Sequence, residues 1–242
     1  MMIGLGTVIN TAGILLGGIF GLLFGRFLKQ RHQQTLSRTC GVCVLFIGIA
    51  GALEGMMALK GTVLVSGKAM LIVLTLALGG LIGELMNIEE GFERFGRWLK
   101  VKTGNAKDQQ FVEGFVTASL TVCIGAMAIV GAIQDGLEGN YATLATKAVL
   151  DLVIILVMTC SMGKGCIFSA IPVAVFQGSI TCLAWVIKPL MTQPALDNLS
   201  MIGSILIFCV GINLVWDKRI RVANLLPSIV LAVAAAFLPI AW

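Results

Sequence analysis

Charge is scarce in this chain. Of its 242 residues only 12% are Asp, Glu, Lys or Arg, against about a quarter in an ordinary soluble domain. That leaves too little polar surface for life in water, and it excludes a cytosolic enzyme, a nucleic-acid-binding domain and a secreted disulfide scaffold together. Histidine is nearly absent as well. The single His32 stands among basic residues near the N-terminus, so a His-based nucleophile system or a His-ligated metal centre has no parts. There is no phosphate-binding loop, no H-E-x-x-H helix and no dinucleotide-binding fingerprint. Neither a cofactor, nor a metal, nor ATP-driven transport by this chain alone is expected, and nothing resembles an enzyme's nucleophile with its base. The seven cysteines fall mostly inside apolar runs, which argues against a disulfide framework. Cys40-x-x-Cys43 has the spacing of a redox or metal motif, but inside an apolar helix it reads as small-residue packing.

What is abundant is apolar surface: 58% of residues are hydrophobic and the mean hydropathy is +0.99. The fold class is an all-α integral membrane protein forming a single polytopic domain, whose main partner is the lipid bilayer. A spanning helix needs roughly 20 mainly apolar residues to cross about 30 Å of hydrocarbon. Five uncharged stretches meet this, Met1–Gly25, Gly114–Gln134, Gly165–Ile187, Asn198–Trp216 and Val222–Trp242. Three shorter ones, Thr39–Leu53, Ala69–Gly83 and Leu152–Gly163, cross only by taking in flanking charges. Eight spans are expected, at about 4–25, 40–59, 66–86, 112–133, 143–163, 166–187, 199–216 and 222–241.

The basic residues test that count, because cytoplasmic loops collect them. Alternate connections hold Arg26, Lys29, Arg31 and Arg38; then Arg94, Arg97, Lys100, Lys102 and Lys107; then Lys164; then Lys218, Arg219 and Arg221. These are 13 of the 17 Lys and Arg residues, and the other side keeps only Lys60, Lys68, Lys147 and Lys188. Both termini are therefore expected outside. The net charge of +5 is a topology signal rather than a nucleic-acid footprint. The first apolar run, with no basic residue ahead of it, does not read as a cleavable signal peptide. Between the third and fourth spans, Ile88, Phe92, Phe95 and Leu99 recur at helical spacing with Glu90, Arg94, Arg97 and Lys100 on other faces and Trp98 at headgroup level. This predicts a cytoplasmic interfacial helix over 88–102, with a solvated loop helix as the plain alternative.

Helix packing is signalled by glycine. Gly13, Gly17, Gly21 and Gly25 fall at four-residue steps on the first span, and Gly51/Gly55 and Gly79/Gly83 repeat the device. Such faces let another backbone approach closely where lipid offers no hydrophobic drive. The partner is another span of the chain or a second copy of it, which would make a homodimer. A faint internal similarity relates Gly48–Leu53 to Ala128–Ile133 and Lys68–Leu71 to Lys147–Leu150. A three-span unit repeated from spans 1–3 to 6–8 moves by an odd number of crossings, so the copies would be inverted, a common transporter architecture.

Polar groups in hydrocarbon each need a reason. Asp151 is the strongest case. Its span must reach back to about Thr143, which puts Asp151 about 12 Å from the outer end and about 18 Å from the inner one at 1.5 Å per residue. Lys147, four residues earlier, shares its helical face. The pair is either a self-neutralising packing element or a site for a coupling ion, proton or substrate. Asn10 shares the glycine face of the first span, Gln177 lies beyond Pro172 in the middle of the sixth, and Asn213 lies in the seventh. Each is interhelical glue or a wall of one shared cavity. Pro172 is expected to free a backbone carbonyl in mid-span. Glu54 is a candidate partner for Lys147 or Lys60, while Ser119, Thr121 and Ser169 can bond back to their own helices.

Six motifs run in order along the chain: Gly6-Thr7-Val8-Ile9-Asn10 leading to Gly17-Gly18, Gly79-Gly80-Leu81-Ile82-Gly83-Glu84, Cys123-Ile124-Gly125-Ala126-Met127, Lys147-Ala148-Val149-Leu150-Asp151, Phe168-Ser169-Ala170-Ile171 and Asn224-Leu225-Leu226-Pro227. In these the chain resembles, over almost its full length, the YqgA/YdfK-like family of bacterial inner-membrane proteins. That family carries a domain of unassigned function and is often labelled a transport protein. The resemblance implies a bacterial cytoplasmic membrane location and supplies no substrate and no established functional residues. The residues by themselves support a secondary transporter or facilitator for a small polar solute or ion, with Asp151, Lys147, Asn10, Gln177 and Asn213 as its site. The other reading is a non-transporting oligomeric scaffold held together by the same residues.

Overall fold

A computed structural model of the chain describes residues 3–60, 62–216 and 220–238. The helices are α1 (Leu5–Gly25), α2 (Gln30–Met56), α3 (Ala69–Met86), α4 (Ile88–Lys102), α5 (Phe111–Cys123), α6 (Ala126–Glu138), α7 (Ala142–Met162), α8 (Ala170–Cys182), the single turn α9 (Ala184–Ile187), α10 (Gln193–Trp216) and α11 (Pro227–Ala235). A 3-10 turn at Lys164–Ser169 leads into α8, and another at Val222–Leu225 leads into α11. Helix is the natural result where no water can satisfy the backbone. Among the described residues six helical segments have the length and apolarity to cross a membrane: α1, α2, α3, α7, the turn plus α8, and α10. Their outward faces are greasy, as Leu15, Ile19 and Leu23 on α1 and Val73 and Leu81 on α3 illustrate.

Glycine faces set the helix pairs. The stripe of α1 lies along α7, the two helices running parallel: a methyl group on Gly13 would meet the Ala148 carbonyl at 2.8 Å and one on Gly21 the Leu156 carbonyl at 2.6 Å. One on Gly17 would run into the backbone of Leu152, and Gly25 faces Cys160. Of the two candidate partners for the stripe, the structure uses α7 of the same chain. Three other pairs are antiparallel. On α2, Gly48, Gly51 and Gly55 meet Phe208, Ser204 and Met201 of α10, and on α3, Gly79 and Gly83 meet Ser228 and Asn224. Between α1 and α8, Thr7 meets Thr181 and Asn10 meets Gln177.

Several expectations are corrected. The span at 112–133 is not continuous: α5 and α6 are bent by 63° at a break. Ile124 is extended there and Gly125 has φ 140°, ψ 149°, a region that only glycine enters without strain. Of the last span, expected over 222–241, the described part is a 3-10 turn plus the nine-residue α11; residues 239–241, like Lys218 and Arg219, lie outside the described residues. The fold is all-α but for one unforeseen element, an antiparallel hairpin of Met57–Lys60 (β1) and Val63–Ser66 (β2) with Met57 opposite Ser66. The second strand holds Val63 and Val65, and β-branched residues suit a pleated surface. Pro172 falls in the first turn of α8, just past the junction with the 3-10 turn, where a proline disturbs a helix least. The helix at 88–102 has the expected bounds, but its apolar stripe turns inward: Leu99 is buried, Phe95 packs edge-on against Phe115, and Trp98 stacks on Phe95 at the exposed side.

The α1/α7 contact is directly testable. Gly17→Val should destabilise the bundle by about 1–3 kcal/mol through overpacking, read as a lower thermal unfolding midpoint in detergent. Gly91→Ala on α4, where the new methyl meets nothing within 4 Å, should leave the midpoint unchanged or raise it. Equal midpoints for the two variants would contradict a close α1/α7 approach.

Candidate functional site

The break between α5 and α6 leaves the last carbonyls of α5 without intrahelical donors, which in hydrocarbon demands a substitute. The substitute is Lys147. Its ammonium donates to the Val122 carbonyl at 2.9 Å and to both oxygens of Asp151 at 2.7 and 2.6 Å. The pair is i, i+4 on α7 and is sealed from its surroundings, Lys147 being 7% and Asp151 3% exposed. A cation at a helix C-terminus complements the negative end of its dipole, and the carboxylate balances the cation. The sequence placed these two together correctly; what it did not reveal is that their third partner is a broken helix.

Asn10 completes one wall. Its amide donates to Gln177 Oε1 at 3.2 Å and also faces the Asp151 carboxylate. Both amides are fully buried, yet Asn10 Oδ1 and Gln177 Nε2 have no partner. Exchanging the amide orientations would leave one donor and one acceptor orphaned all the same, and such groups are costly in a dry interior. One turn along α1, the hydroxyls of Thr7 and Thr181 meet at 3.4 Å, and Thr181 donates to the Ala132 carbonyl. Asn213 does not join this cluster. Its side chain brackets Ile220, donating to the carbonyl at 2.7 Å and accepting from the N–H at 2.9 Å, and so ties down the chain after α10.

A cavity of about 1180 Å³ opens at the end of the bundle where α2 starts and α7 and α10 finish. Gln33, Arg38, Glu89, Lys107 and Asn213 are among the residues around it. Its α5 wall is Val112, Glu113, Val116, Thr117 and Leu120, ending two residues short of Val122. Lys147 and Asp151 do not line it. A second cavity of about 590 Å³ at the opposite end of α2 holds Glu54, Lys68, Asp197 and Ser200. Glu54 is therefore not the partner of Lys147; the side chain of Lys60 lies outside the described residues.

Two groups of buried polar residues escaped the sequence. Asp135 is fully buried on α6 and caps α1 from a distance, its Oδ2 accepting the Gly6 N–H at 3.0 Å. It directly follows the uncharged run Gly114–Gln134 and so reads as a flanking charge, but the bend carries it inward. The second group joins the α3–α4 junction to the turn before α11: Asn224 accepts from the Glu89 N–H at 2.7 Å and donates to Glu84 at 2.6 Å, Glu89 accepts from the Ala223 N–H, and Arg221 pairs with Glu84. The motifs Gly79-Gly80-Leu81-Ile82-Gly83-Glu84 and Asn224-Leu225-Leu226-Pro227 each contain a member of it, but nothing in the sequence joined them. The serine and threonine expectations hold, with Ser119, Thr121 and Ser169 bonded to their own helices. Cys40 is buried and Cys43 exposed, both free, and no group of three or more metal-ligating side chains occurs among the described residues.

A family model described as "Protein of unknown function (DUF554)" matches residues 5–237. The chain belongs to the DUF554 family. It is similar to the uncharacterised membrane protein YdfK of Bacillus subtilis (strain 168), 28% identical over 232 residues that cover 96% of this chain and 95% of the relative. It is also similar to the uncharacterised protein YqgA of Escherichia coli (strain K12), 26% identical over 242 residues and 98% of each chain. No solved structure matches. With several long apolar helices and a relative named as a membrane protein, this DUF554 member is a multi-pass membrane protein.

Removing one charge of the pair leaves the other buried and uncompensated. Lys147→Met or Asp151→Asn alone should each cost about 3–5 kcal/mol, while the neutral double variant Lys147→Met/Asp151→Asn should recover most of the loss. Thermal unfolding in detergent checks this, and additive losses in the double variant would contradict the pairing.

Proposed function

We propose that this DUF554 protein is a secondary transporter or facilitator for a small polar solute or ion, working as a carrier rather than an enzyme. Its site is the point where the α5–α6 break, Lys147 and Asp151 converge. The observation that carries the reading is a helix interrupted beside a buried ion pair, with the orphaned amide atoms of Asn10 and Gln177 alongside. Discontinuous helices at bilayer depth are tolerated where backbone and ligand groups exchange partners, and transporters place their sites there. In this reading the α5 face from Glu113 to Leu120 is the entry wall, and Leu120 closes the way to the pair. The cavity collects residues from the basic connections, which supports a cytoplasmic position for it.

The same reading takes the chain as crossing eight times with both termini outside, the broken pair as the fourth crossing and α11 as the core of the last. An inverted repeat of spans 1–3 in 6–8 is supported by the antiparallel meetings of α1 with α8, α2 with α10 and α3 with α11. Across the first of these, Thr7 faces Thr181 and Asn10 faces Gln177, so chemically like residues meet.

One observation favours the alternative, a non-transporting scaffold: Lys147 and Asp151 are closed on each other, and the large cavity stops short of them. The readings part in proteoliposomes carrying an entrapped pH-sensitive dye, assayed for proton movement with ions and small metabolites presented in turn. Transport predicts solute-dependent signal in the wild type that falls at least about tenfold in the folded double variant Lys147→Met/Asp151→Asn. Equal signals across pH 5–8 would remove the pair from any transport mechanism.

A further inference from the structure

Asp135 is a second buried carboxylate with a feature its capping role leaves over. That role uses Oδ2, which accepts from Gly6 N–H; glycine at position 6 permits the approach, since a methyl group there would sit 3.1 Å from that oxygen. The other oxygen, Oδ1, is buried and has no partner. The described helices packed around it offer it no free cation. Neither α1, α8 nor α9 carries an acidic or basic side chain. The only charged residues of α7 are Lys147 and Asp151, bonded to each other, and the single one of α10, Asp197, accepts from Gln193. A half-satisfied carboxylate inside a membrane bundle needs a positive partner from outside the protein.

The position matters as much as the unpaired oxygen. Along α1, Gly6 touches Asp135, Thr7 touches Thr181, and Asn10 touches Gln177 and faces Asp151. Polar groups thus run in single file from one buried carboxylate to the other, at steps of one to three residues on one helix. On the opposite side of the pair lies the cavity walled by α5. We propose that Asp135 Oδ1 binds a monovalent cation, a proton or an alkali ion, and is the outer station from which that cation reaches Asp151. The inference deepens the transport reading by naming the coupling ion's class and its second site.

The test is cation-dependent thermal unfolding of the full chain in lipid nanodiscs. Lithium, sodium or potassium chloride is compared with choline chloride at fixed ionic strength and pH, and in a separate arm pH is lowered from 8 to 6 in choline alone. Binding predicts a rise in the wild-type midpoint of roughly 3 °C or more, in the salt arm for an alkali ion and in the acid arm for a proton. Asp135→Asn keeps an oxygen for the Gly6 N–H, and it should abolish that rise, whereas Lys147→Met/Asp151→Asn should keep it. The last comparison separates this inference from the transport reading, which the flux of the double variant decides. Should Asp135→Asn not fold, Asp135→Glu decides: a displaced carboxylate must alter the order of preference among the ions or the size of the acid response. A wild type indifferent to both arms, a response that survives Asp135→Asn, or an Asp135→Glu response identical to the wild type's would overturn the proposal.

Discussion

The carbonyl of Val122 must find a donor. In a bilayer an exposed backbone acceptor has no water to turn to, and α5 ends inside the bundle. Lys147 supplies the donor, but a lone ammonium at that depth would be worse than the carbonyl it satisfies, so Asp151 is required in turn. A helix break, a lysine and an aspartate therefore form one unit, in which neither charge is tolerable without the other and the break takes its donor from the pair. The bent pair, the register of α7 against α5 and the position of α1 above them follow from that unit.

Glycine makes the unit reachable. Asn10 approaches Asp151 only because α1 lies on α7 with backbones nearly touching, as Gly13, Gly17 and Gly21 allow. The same economy of side chain joins α2 to α10 and α3 to α11. Where helices associate through backbone contact rather than interlocked bulk, polar residues can meet across them at short range, and the contacts of Asn10 with Gln177 and Thr7 with Thr181 are of that kind. The knot of Glu84, Glu89 and Asn224 does the equivalent work at the C-terminal end of α3, where the chain turns sharply at Asn87 with φ 50°.

Much of this was legible in the residues. Uncharged runs located most of the helices, the four-residue glycine step identified the face of α1, and the spacing of Lys147 and Asp151 announced their pairing. The break at Ile124–Gly125 was not legible, because the run from Gly114 to Gln134 is as apolar as any continuous span and Gly125, one of its three glycines, is unremarkable in a membrane helix. Missing the break hid the role of Val122 and left Asp135 looking like an end charge. The hairpin at Met57–Ser66 was masked because its residues are as apolar as the helices on either side. The inward turn of the 88–102 stripe was hidden for another reason: an amphipathic pattern states that one face is greasy, not whether lipid or α5 covers it.

The claim that Lys147 holds the break is tested most directly by hydrogen–deuterium exchange of backbone amides in the wild type and in the neutral variant Lys147→Met/Asp151→Asn. The account predicts faster exchange confined to the end of α5 and the start of α6, residues 120–128, where the Val122 carbonyl has lost its donor, with α2 and α10 unchanged. Identical protection of that segment in the two proteins would contradict it.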